Sequence, residues 1–157
     1  MSERFSTAGM YLAYCVESSA GSRPTSGYIT IPEVKSIPSF NPSPEGIEST
    51  TLSETEYKTY VKGLKDLGQA LEFNANMTDD LDTAWGTLIS AYNSAIAATP
   101  AKAVWFCVAH PKLAKATFFT GDPAGIGLNE ATVGGMAETT LYITPTGAPV
   151  RENKPST

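Results

Sequence analysis

Histidine and cysteine are almost missing from this chain, whose 157 residues hold one histidine, His110, and two cysteines, Cys15 and Cys107. With no CxxC or HxxxH spacing, the signature of a zinc or other soft-metal site is lacking, and no metal or other cofactor is expected. Both cysteines lie in apolar, strand-like runs, so they read as buried free thiols that pack as small hydrophobes. Charge is also sparse, at 17% of residues against 41% hydrophobic. That balance excludes a wholly disordered chain, which combines high charge with little apolar content. Positive charge is the scarcer sign, with 11 Lys+Arg against 16 Asp+Glu and a formal net charge of -5. The only grouping of lysines, Lys58, Lys62 and Lys65, is interleaved with Glu54, Glu56 and Asp66. It reads as a solvated face and lacks the clustered cations that displace counterions from nucleic acid. No run approaches the roughly 18 apolar residues of a membrane span. Met1 to Phe5 lacks the basic and apolar regions of a signal peptide, so a soluble protein made in the cytoplasm is expected.

What the chain does have is an ordered series of strand patterns, a long polar loop and one helix. Met10, Leu12, Tyr14 and Val16 alternate with Tyr11, Ala13 and Cys15, predicting a first strand. A second extended stretch runs from Gly27 to Ile37, broken by Pro32, which cannot donate to a ladder. From about Ser39 to Gly68 the composition is that of a loop, with a short extended run at Glu45 to Leu52 and one or two helical turns expected over Tyr57 to Leu67. A loop of this length within a compact domain is uncommon and usually functional or disordered. It carries Tyr57, Tyr60, Val61, Leu64 and Leu67, apolar groups in need of a surface. Leu71, Phe73, Ala75 and Met77 then alternate with polar neighbours, predicting a half-buried strand. Thr78 or Asp79 caps a helix running to about Ala98, with Asp79, Asp80 and Asp82 at the positive end of its dipole. Its apolar stripe is Leu81, Trp85, Leu88, Ile89, Tyr92 and Ile96. Further strands are expected over Ala103 to Ala109, Lys115 to Thr120, Ile126 to Val133 and Glu138 to Thr144, followed by a polar, mobile tail. The fold class is mainly β (α+β): an antiparallel β-sandwich or barrel with one flanking α-helix, a single domain over residues 1–150 with a short tail, 151–157.

Candidate chemistry is thin. His110 is the only obvious general base and reads as a turn histidine beside Pro111, since no local motif supplies a second member of a triad. Asp79, Asp80 and Asp82 lack the glycine and distal glutamate of a calcium loop, and read as a charged helix start. The run Gly121 to Gly127 has no GK[ST] and no following helix, so it is turn chemistry. No catalytic residue is assigned and the chain is not expected to be an enzyme.

The layout resembles the tail tube, or major tail, proteins of long flexible-tailed bacteriophages. The resemblance is carried by Ile29 to Ile37 ahead of the long loop, by Ala70 to Met77, and by the acid-capped helix with Trp85-Gly86-Thr87-Leu88. Ala103 to Val108, the aromatic strand after it and Glu138 to Thr144 complete it, over roughly residues 5–150. It implies a structural protein of the virion tail, self-assembling into stacked hexameric rings that form the conduit for DNA ejection. The implied partners are further copies of itself, the tape-measure protein, the tail terminator and the baseplate or tip proteins. DNA would pass through without specific binding, and no membrane is involved. Loop 39–68 would be the inter-subunit element, with Pro42, Glu48, Leu52, Tyr57, Tyr60 and Leu64 at the interface. Glu72, Glu130 and Glu138 are candidates to face an acidic lumen that repels phosphate. The competing readings are another ring-forming virion part, such as a tail terminator or head-tail connector, and a small β-sandwich binding module.

Overall fold

The computed structural model describes residues 3–41, 44–53, 55–65 and 70–155. In chain order these form β1 (Tyr11–Val16), β2 (Ile29–Thr30), β3 (Val34–Ser36), β4 (Pro44–Glu48), β5 (Tyr60–Lys65), β6 (Leu71–Asn76), α1 (Asp79–Ala97), β7 (Val104–Ala109), β8 (Lys115–Pro123), β9 (Glu138–Pro145) and β10 (Val150–Asn153). Eight strands make one antiparallel sheet in the order β2-β1-β7-β8-β9-β6-β3, with β10 also on β8, while β4 and β5 pair only with each other.

The strand order shows how the sheet curls. β2 and β3 are separated by three residues, yet they occupy opposite edges. The intervening Ile31 donates to the Leu12 carbonyl, and the Glu33 carbonyl accepts from Asn76 N–H, so the short crossing is held to both edges. Pro32 supplies no donor at the break, and Glu33 turns the chain in the left-handed region at φ 67°. Ile31 is buried beneath the crossing. The result is a half-barrel, the mainly β architecture with a flanking helix that the strand patterns predict.

Alternation places the core as expected. Leu12 and Tyr14 of β1 and Leu71 and Phe73 of β6 turn inward with Phe106, Phe119, Leu141 and Ile143. The helix lays Leu81, Trp85 and Leu88 on this same cluster. Thr78 is the N-cap, its Oγ1 accepting from Leu81 N–H at 3.2 Å. Trp85 is buried and its Nε1 donates to the Ala124 carbonyl at 2.8 Å, tying helix to sheet. One stripe residue differs from expectation: Ile96 is exposed and Ala95 is buried in its place, since Ala95 follows Leu81 and Leu88 at seven-residue spacing on the face that meets the core.

A second cluster lies on the other face of β1, β7 and β8. Ala13, Cys107, Ala109 and Ala116 leave a shallow bed that Phe118 and Tyr28 fill, and the Arg23 guanidinium stacks 4.4 Å from the Phe118 ring centre. Glu17, 5% exposed, locks this region. Its carboxylate accepts from Gly21 N–H, Ala103 N–H and Trp105 Nε1.

Three segments depart from the sequence pattern. Residues Tyr57 to Leu67 were expected to make helical turns; among the described residues Tyr60–Lys65 instead forms β5 against β4. Gly63 weakens a helix there, and Val61 finds a cross-strand partner in Ile47. Ile126 to Val133 is not a strand. The chain from Ala124 to Asn129 follows β9 through isolated backbone bonds, Ala124 N–H to the Tyr142 carbonyl and Asn129 N–H to the Glu138 carbonyl, and no continuous ladder forms. The chain after Pro145 is not a free tail either: β10 pairs with Lys115 to Phe118 of β8, extending the line of β9 past a break at residues 146–149.

Candidate assembly surfaces

The long loop is a β-hairpin arm. Beyond β4 and β5 the rungs continue, with Ser49 N–H donating to the Thr59 carbonyl and Thr59 N–H to Thr50 Oγ1. Ile47 stands opposite Val61, and Glu48 opposite Tyr60, so apolar groups occupy both faces of the arm. Tyr60 is 59%, Leu64 86% and Leu52 fully exposed, and Tyr57 projects near the tip. Glu48 is exposed as well. Pro42 lies outside the described residues, as do residues 66–69 at the far end of the predicted loop. Isolated two-stranded hairpins are marginally stable in water, and exposed apolar clusters of this kind mark interaction surfaces.

The three acids singled out from the sequence fall in two places. Glu72 and Glu138 share one sheet face, since Glu72 pairs with Tyr142 and Asn76 with Glu138 in the β6–β9 register. Glu138 is ion-paired with Lys35 of β3, whereas Glu72 is exposed. Between them runs a line of neutral hydrogen bonds from Asn129 through Thr140 and Asn74 to Ser36. Glu130 is exposed on the 124–137 loop, next to Asn129. That loop also presents Leu128, Val133 and Met136 to solvent, a feature missed from sequence because its apolar residues looked like those of a strand.

His110 is buried and both ring nitrogens are engaged by backbone. Lys112 N–H donates to Nδ1, which leaves Nε2 as the proton carrier, bonded at 2.8 Å to the Ser6 carbonyl. Its ring lies 4.4 Å from that of Phe5. This is a clamp on the amino-terminal segment, with neither nitrogen left to serve as a base. Cys15 and Cys107 are free thiols at diagonal positions on adjacent strands, since Ala13 pairs with Cys107 and Cys15 with Trp105. Burial pushes the Cys107 thiol up to about 11 and raises that of Cys15. Among the described residues no group of three or more His, Cys, Asp or Glu could hold a metal ion, and no helix is long and apolar enough to cross a membrane.

No protein-family model matches the chain, and no curated protein matches it in sequence. Twelve chains of solved structures match it in structure. One of them belongs to the anti-feeding prophage baseplate, determined by cryo-EM with six-fold symmetrisation. It superposes with a TM-score of 0.62 at 9% identity, over 98% of this chain and 98% of that one. The likeness is therefore one of fold, and it extends over almost the whole length of both molecules.

Proposed function

We propose that this chain is a structural subunit of a phage tail or tail-like particle, building hexameric rings that stack into a tube through which DNA leaves the virion. The observation that carries the proposal is the fold shared, end to end, with a chain of a six-fold baseplate. The exposed arm supports it, because a hairpin with apolar side chains on both faces is stabilised by a neighbour. The net charge of -5 fits a conduit that repels phosphate, with Glu72 and Glu130 exposed to contribute. In this reading the partners are further copies, a tape-measure protein, a tail terminator and baseplate or tip proteins, and the chain has no catalytic role. The baseplate neighbour also favours a second reading, a single ring at one end of a tube.

Negative-stain electron microscopy of the concentrated protein separates the two. Hollow tubes of uniform width are expected for the repeating subunit, and isolated rings for the end ring. Particles that stay monomeric at every concentration would count against both.

A further inference from the structure

One groove of the half-barrel has a character complementary to the arm. It is a cavity of 680 Å³ between the amino-terminal segment, β3 and the ends of β7, β8 and β10. Met10, Val34, Phe40 and Val108 give it an apolar floor. Its charged lining residues are Lys35, Lys115 and Arg151, and among the described residues no Asp or Glu lines it. That asymmetry stands out in a chain with 16 acids and 11 bases. Lys35 is offset by Glu138, but Arg151 donates to the neutral Thr117 hydroxyl, and Lys115 is exposed. β10, on the groove's rim, pairs only with β8 among the described strands, so its outer backbone edge is open.

The arm presents the opposite pattern. β4 carries Glu45 on the same face as the exposed Ile47 and Glu48 on the opposite face, while Lys62 stands on β5, opposite Gly46. The hairpin is thus divided by sign, acids along one strand and lysine along the other. Among the described residues of one chain the arm pairs with no other strand.

We infer that the groove seats the β4 side of the arm of a second copy, with Ile47 over the apolar floor and Glu45, on the same face of β4, against Lys115 and Arg151, while Glu48 adds its charge from the opposite face. This rests on the self-assembly reading and names the surface that receives the arm. Donor and receiver are different patches of one molecule, so the contact is head-to-tail and propagates. An open strand edge beside an apolar hollow is also the geometry that accepts an added strand.

Charge reversal tests it. E45K/E48K has a cationic arm and a cationic groove; K115E/R151E has an acidic arm and an acidic groove. Followed by sedimentation velocity at low salt, each variant alone is expected to need at least about tenfold more protein than wild type to assemble, because like charges meet. An equimolar mixture should recover assembly, since each arm then finds an opposite groove. Circular dichroism melting curves like wild type confirm that the variants are folded. If wild type assembles and K115E/R151E assembles equally well, or the mixture stays dissociated, the groove is not the receiver and the assembly reading stands. If wild type never associates, both fall.

Discussion

At Glu17 a carboxylate sits in the interior of a β-rich protein, where it is tolerated because its oxygens are occupied. Burial by itself would raise its pKa, but the bonds from Ala103 N–H, Trp105 Nε1 and Gly21 N–H outweigh burial and leave it lowered. A carboxyl with a depressed folded pKa contributes stability above its unfolded value, and that stability is lost as pH falls through the folded value. Glu17→Ala should therefore cost about 1–3 kcal/mol at neutral pH, with the gap to wild type closing in acid; urea melts at pH 7 and pH 3 check this. Gly121 is a second residue whose role is steric. A methyl there would meet Ile143 Cγ2 at 2.5 Å and the Thr144 carbonyl at 3.2 Å, so Gly121→Ala should lower stability by about 1–3 kcal/mol. Burial holds Cys107 as a neutral thiol near pH 8. Ellman's reagent should modify it in the native protein far more slowly than in urea.

Elements with one buried face could be read from sequence, and elements with none could not. β1, β6 and α1 each alternate against the core, and their patterns name Leu12, Phe73 and Trp85 correctly. The arm has solvent on both faces, so Val61 and Leu64 carry no periodicity that separates strand from helix. β10 is four exposed residues whose place is set by a long-range ladder to β8, and nothing local announces it. The receiving groove was invisible for the same reason: Lys35, Lys115 and Arg151 are far apart in sequence and meet only through the curl of the sheet. Two predictions belong to this scale. Thr78→Ala removes the helix cap and should cost about 1 kcal/mol, seen in the thermal melt. Tyr60→Ser with Leu64→Ser removes exposed apolar groups, so stability should change by less than about 0.5 kcal/mol while assembly, read by electron microscopy, is lost.

For the molecule as a whole, a closed body and an unsupported arm should differ in dynamics. Strands β1, β7, β8, β9 and β6 form the continuous centre of the sheet, and their amides should exchange slowest. Amides of the arm, residues 44–65, should exchange quickly in the monomer and become protected on assembly; protection already present in the monomer would argue against an arm that waits for a neighbour. The two chain ends also share an anchor. Glu3 pairs with Lys112, Ser6 with His110, and the Lys154 amine reaches the carbonyls of His110 and Pro111. His110 lines the groove proposed to receive the arm. An affinity tag or fluorescent fusion joined beside Glu3 or Lys154 would therefore stand at the mouth of that groove.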